Sequence, residues 1–189
     1  MNHAKDTARR TRVAVRAFAA LCTAIAVTTG LFANRASADP AFEPGPTARC
    51  VAEAEIASPR RKGLAVLDCA GRAAAACMAT PGGDSTIGMM HCLDAEWRFW
   101  DRRLNLAYAA RMQAGLAEDQ EMKSIRATTG SIASALRDMQ RAWIAFRDAA
   151  CRYEQAQWLG GTGGGPATLA CHLHETARQA LKLEGWWAQ

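Results

Sequence analysis

Seven cysteines, four histidines and a run of glycines are the residues with most chemistry to offer in this 189-residue chain. Cys22 sits inside an apolar leader, which leaves Cys50, Cys69, Cys77, Cys92, Cys151 and Cys171. A zinc knuckle or a redox pair wants C-x2-C spacing, and the tightest interval here, Cys69 to Cys77, is too wide. A cysteine nucleophile needs an unpaired thiol, and an even set leaves none. Three disulfides are the remaining reading, and these persist in an oxidising compartment. His172-x-His174-Glu175 looks metal-like, but side chains two apart on a helix diverge by about 200°. One ion therefore cannot easily take both imidazoles, and the pair reads as histidines on a solvated face. Serine hydrolase chemistry lacks its G-x-S-x-G elbow. The run Gly160-Gly161-Thr162-Gly163-Gly164-Gly165 is followed by no lysine in P-loop spacing and preceded by no strand, so it is not a phosphate loop. Acidic residues are frequent (Asp94, Glu96, Asp101, Asp138, Asp148), and most have a basic neighbour one helical turn on: Asp94/Arg98, Asp138/Arg141, Asp148/Arg152. That is the pattern of a solvated, ion-paired helix face. Asn105, Gln140 and Arg147 lie beside apolar positions and read as groups that satisfy carbonyls and carboxylates inside the fold. Acid, base and nucleophile do not assemble. The residues describe a non-enzymatic protein with no metal and no cofactor.

The elements that carry these residues follow from composition and periodicity. Half the chain is hydrophobic but only 7% is aromatic, and alanine is abundant while β-branched residues are sparse. Both features favour helix over sheet. Residues 1–38 read as a cleaved export signal. Arg9 to Arg16 supply the basic region, Ala17 to Ala33 the apolar one, and Ala36-Ser37-Ala38 the cleavage site. Leu21 before Cys22 does not suit lipid attachment, so no stable membrane insertion is expected after cleavage. The formal charge of +5 belongs to this leader. It holds Lys5, Arg9, Arg10, Arg12, Arg16 and Arg35 against Asp6, and setting these aside from 23 basic and 18 acidic residues leaves the rest with no net charge. A nucleic-acid-binding surface therefore loses its main support. The destination is periplasmic or secreted.

Residues 39–85 form a Pro-rich tail and a short helical extension. The tail to Thr47 reads as loosely held, a short helix covers 48–57, and a second starts with Asp68 as N-cap and runs to Met78. Residues 86–189 carry three helical stripes with steps of three and four. The first is Met90, Leu93, Trp97, Trp100, Leu104 and Ala107. The second is Ile132, Leu136, Met139, Trp143, Phe146, Ala150 and Tyr153. The third is Leu169, Leu173, Thr176, Ala180, Leu183 and Trp187. Such stripes are seams of helices packed nearly antiparallel. Residues 115–131 form a polar, poorly defined first connection, with the alternative that the first helix continues past Leu116 and breaks only at Thr128-Thr129-Gly130, and the glycine run forms the second. The expected fold is all-α: an antiparallel bundle of three main helices with a short, disulfide-bound helical N-terminal extension. Residues level across a helical hairpin lie about equally far from its turn. That test pairs Cys151 with Cys171 about residue 162, Cys77 with Cys92 about 84, and Cys50 with Cys69 about 60. Trp158, Trp186 and Trp187 stand at helix ends, where a tryptophan packs a junction or, if exposed, anchors a contact.

One ordered set of residues is similar to a known family. Cys92 is followed by Trp100-Asp101-x-x-Leu104-Asn105-x-x-Tyr108. Next comes Gln140-x-x-Trp143-x-x-Phe146-Arg147-Asp148-x-x-Cys151, then Gly160-Gly161 and Cys171-x-x-x-x-Thr176-x-Arg178. Over about residues 86–183 this resembles the LprI-like lysozyme-inhibitor domain family. The resemblance implies an exported helical protein that binds c-type lysozyme by non-covalent contact. The segment best suited to enter or cover a cleft is the turn with Trp158, Leu159, Gly160, Gly161 and Thr162, with Trp158 as anchor. The alternative is an envelope interaction module that binds another exported protein without inhibiting lysozyme.

Overall fold

The computed structural model describes residues 39–57, 62–125 and 130–186. The export-signal reading of residues 1–38, the Ser58-Pro59-Arg60-Arg61 break, Thr128-Thr129 and Trp187 lie outside the described residues. Every regular element among the described residues is a helix: α1 Gly45–Ala57, α2 Lys62–Leu67, α3 Arg72–Met78, α4 Thr86–Ser124, α5 Ile132–Ala156 and α6 Gly164–Glu184. None of them is long and apolar enough to cross a membrane. No group of three His, Cys, Asp or Glu side chains among the described residues could hold a metal ion.

The frame is the pair α4 and α6. Consecutive long helices reverse direction, so these two run parallel. Contacts march along both in step: Met90 with Gly165, Trp97 with His172 and Thr176, Arg103 with Glu184. Alanines at 107, 177 and 180 keep the backbones close, and Trp100, Leu104, Leu173 and Leu181 are fully enclosed between them. Each such leucine contributes roughly 1.5–3 kcal/mol of burial. At the far end Arg111 Nε donates to the Leu183 carbonyl at 2.6 Å, answering one of the orphan carbonyls at the end of α6.

Helix α5 lies on one side of this pair and is only partly covered. Ala133 and Cys151 are its fully buried residues, and Leu136, Met139 and Trp143 pack against the core from its margin. Ile132, Phe146 and Tyr153, expected on the seam, are 43%, 60% and 66% exposed. The inward line of α5 is rotated towards Gln140 and Arg147, so the three apolar residues fall beyond the edge that the two-helix frame covers. The α4–α5 connection is better organised than its polarity suggests. Ser131 caps α5 by accepting from Ser134 N, and Asp119 accepts from Ser131 Oγ at 2.6 Å and Ile132 N at 2.7 Å. The Ser131 hydroxyl and these backbone N–H groups hold the Asp119 carboxyl below its usual range.

The three disulfides join Cys50 to Cys69, Cys77 to Cys92 and Cys151 to Cys171. Each ties neighbouring elements: α1 to the turn after α2, α3 to α4, and α5 to α6. The tail before α1 is not loose. Pro40 is buried and Phe42 packs on the core, and the end of the expected tail, from Gly45 to a buried Thr47, is already the first turn of α1. The N-cap of α3 is Gly71 rather than Asp68, and Gly71 takes φ 96°, a left-handed conformation that glycine adopts without strain. Gly71 has no side chain with which to cap α3, and the missing cap comes from a distance. Glu96 on α4 is fully buried. Its Oε1 accepts from Thr47 Oγ1 at 2.7 Å and from Gly71 N at 2.8 Å. Its Oε2 accepts from Ala74 N at 2.6 Å. Trp100 Nε1 adds a fourth bond at 3.3 Å, while Thr47 Oγ1 itself accepts from Ala73 N at 3.0 Å.

Candidate functional site

Between α5 and α6 the chain makes a chain of overlapping turns. Trp158 N donates to Gln155 O at 3.2 Å, Leu159 N to Ala156 O at 3.1 Å, Gly161 N to Trp158 O at 2.8 Å and Gly164 N to Gly161 O at 3.1 Å. The glycine run is therefore wound, not slack. The Trp158 indole lies against Gly163, where a β-carbon would come within 2.1 Å of the ring. That close approach is what demands glycine at this position. Trp158 keeps half its surface in water, and Leu159 is 94% exposed. Leu159 also has φ 50°, a left-handed backbone adopted by few non-glycine residues. Such strain, of order 1 kcal/mol or more, persists only where the surroundings enforce it, and it marks functional segments more often than others. The Cys151–Cys171 bridge closes the base. An open cavity of about 430 Å³ lies alongside, lined by Arg152, Gln155 and Ala156 on one wall and by Gly160, Gly161, Gly164 and Gly165 on the other. Trp158, Leu159, Gly160, Gly161 and Thr162 thus share one exposed knuckle. Within it Trp158 props the turn and Leu159 is the side chain that projects.

The model of the LprI lysozyme inhibitor family matches residues 77–183, from the Cys77–Cys92 bridge to the last turn of α6. The chain belongs to that family. Two similar proteins are themselves uncharacterised. One is from Rhizobium meliloti (strain 1021), 29% identical over 100 residues that cover 53% of this chain and 72% of the relative. The other is a 17.7 kDa protein in the puhA 5′ region of Rhodobacter capsulatus, 29% identical over 141 residues that cover 73% and 82%. No solved structure matches.

The residues of the LprI motif divide by place. Trp100 and Leu104 fill the core, and Tyr108 packs at its margin. Thr176 is buried and accepts from Trp97 Nε1 at 3.1 Å. Gln140 accepts from Gln179 Nε2 at 3.0 Å, joining α5 to α6. Arg147 lies over the Trp143 ring at 4.9 Å and donates to Asp148 at 2.7 Å, with its side chain only 14% exposed. Asp148 is therefore paired with Arg147 and not with Arg152. Asp94/Arg98 and Asp138/Arg141 do pair along their helices. Asp101 and Asn105 bond to each other near the surface at 3.0 Å, Arg178 pairs with Glu175 on an outer face at 4.0 Å, and Phe146 stands in solvent. Most of this motif builds the LprI bundle, while Phe146, Arg178 and the glycine turn face solvent.

Two residues escape a reading of the sequence. Glu96 looks like one more solvated acid, yet it is the carboxylate around which the N-terminal extension closes. Its spacing, three after Leu93 and four before Trp100, places it on the seam and is the signal that could have found it. His172 is not on a solvated face. It stacks on Trp97 at 4.9 Å and its Nδ1 is buried without a hydrogen-bond partner. Burial holds its imidazole below the usual value, the Arg147 charge adds to this and Asp148 opposes it.

Proposed function

We propose that this LprI-family protein is exported, is not an enzyme, and inhibits c-type lysozyme by seating the Trp158–Pro166 turn in or over the substrate cleft. The observation that carries the reading is Leu159, an almost fully exposed leucine held in a strained conformation at the tip of a disulfide-clamped turn. Three cross-links in a small helical domain support an oxidising compartment. A lysozyme cleft offers two catalytic carboxylates and extended apolar and polar subsites for sugar rings. A knuckle wound in advance loses little conformational freedom on docking, which is where a small contact gains its affinity. Residues 39–189 carry no net charge, so long-range attraction to a basic enzyme contributes little and the fit of the turn has to supply the rest. The test is a cell-wall turbidity assay with oxidised protein titrated against c-type lysozyme, with a reduced sample as control. The expected result is saturable inhibition near one-to-one stoichiometry, lost on reduction and weakened by Leu159→Ala and Trp158→Ala. An absence of inhibition at large excess of correctly cross-linked protein would sink the reading in favour of another exported partner.

A further inference from the structure

We propose that the cavity beside the turn is a socket for an acidic side chain of the protein partner, received by Arg152 and Gln155. The inference rests on the turn being the docking site and adds the chemistry of what docks there. Arg152 and Gln155 are one helical turn apart and share the wall of the 430 Å³ cavity. The carboxylates near them are already engaged. Asp148 is held by Arg147 at 2.7 Å, and Glu154 accepts from Gln157 Nε2 at 3.1 Å. Among the described residues Arg152 enters no ion pair and neither its guanidinium nor the Gln155 amide makes a hydrogen bond. Apart from Ala156 the rest of the lining is four glycines, which place no side chain in competition for an incoming group. A guanidinium fork takes a carboxylate through two parallel bonds, and an adjacent amide NH2 supplies a third. The volume is at the small end of ligand cavities, enough for a glutamate or aspartate side chain that keeps some water. Leu159 rises from the same turn, so the complementary surface presents a carboxylate beside an apolar depression.

The experiment follows the backbone amides of Gly160, Gly161, Gly164 and Gly165 by NMR in the labelled, oxidised protein. The probes are the capped tripeptide Gly-Glu-Gly, its Gly-Gln-Gly counterpart and chitotriose. The glutamate peptide is expected to shift these amides saturably, with affinity about two- to fivefold above the glutamine peptide, the order of an exposed charge pair. Arg152→Gln should abolish the difference and Arg152→Lys should keep part of it, since a lysine retains the charge without the fork. Arg152 is exposed, so neither variant disturbs the core. Equal response to the two peptides, no response, or shifts from chitotriose alone would overturn the proposal. Lysozyme inhibition with no glutamate preference removes the socket and leaves the docking turn. A glutamate preference without lysozyme inhibition removes lysozyme and leaves the socket.

Discussion

Helix α3, cross-linked to α4 through Cys77–Cys92, and the Trp158–Pro166 turn, enclosed by Cys151–Cys171, are each held by a disulfide, yet their side chains are disposed in opposite ways. Around α3 the polar groups are inside. Glu96 is fully enclosed and accepts four hydrogen bonds from Thr47, Gly71, Ala74 and Trp100. Around the glycine turn the apolar groups are outside, with Leu159 in solvent and Trp158 half in it. A buried carboxylate is tolerated only when its lone pairs are met, so the first region is determined by its partners within the chain. An exposed leucine on a strained backbone gains nothing for the fold, and under the proposed function the second region is explained by a partner outside it. The same comparison separates stability from function: substitutions near Glu96 should unfold the protein, and substitutions at the turn should spare it.

The strongest way to break that contrast is Glu96→Ala. It leaves buried donors on Thr47, Gly71, Ala74 and Trp100 unanswered and should cost about 3–5 kcal/mol in urea unfolding, given roughly 1–3 kcal/mol for each stranded group and incomplete additivity. A loss under about 1 kcal/mol would mean that water or a shifted side chain replaces the carboxylate. Replacing Cys151 and Cys171 together by serine comes next. It should lower stability by about 3 kcal/mol through the released loop, and it should remove inhibition as well, since the turn loses its clamp. Leu159→Gly sharpens the comparison because its two effects oppose. Stability should rise by about 1 kcal/mol or less as the left-handed strain is relieved, while lysozyme inhibition weakens. Loss of both together would make Leu159 a folding residue.

The smallest effect is a pH dependence. His172 has its imidazole held below the ordinary value by burial, so on acidification the unfolded chain takes up the proton first. The associated stability is fully present above the ordinary imidazole value of about 6.5 and is lost as pH falls towards the lower folded value. His174, also held low by burial, acts in the same direction. Thermal unfolding between neutral pH and pH 5 should show a declining midpoint, and His172→Phe should flatten part of the slope. An unchanged slope would mean that the Trp97 stack accommodates the charged ring.

The sequence by itself determined the three long helices, because a stripe repeating every three or four residues has only one regular structure that gathers it on a face. It also determined the hairpins, because Pro-Gly-Gly and Gly160 to Gly163 interrupt the helices, and cysteine spacing about each turn coincides with the pairing in the structure. The end of the glycine run was misplaced, since Gly164, Gly165 and Pro166 form the first turn of α6. The exposed turn was legible for the same local reason. Periodicity could not say how much of a face the rest of the molecule covers. Phe146 and Tyr153 repeat as regularly as Trp100 and Leu104, but α5 borders the α4–α6 pair on one side only, so they stay in water. Nor could it say which acid is inside. Glu96 and Asp94 are alike in type and two residues apart, and what divides them is Thr47, 49 positions away from Glu96, and Ala74, 22 away. Arg152 was a helix-face ion pair until Arg147 took its carboxylate. Local backbone preference acts between neighbours and is written in order along the chain, whereas burial and the choice of polar partner are settled by whatever the folded chain brings alongside.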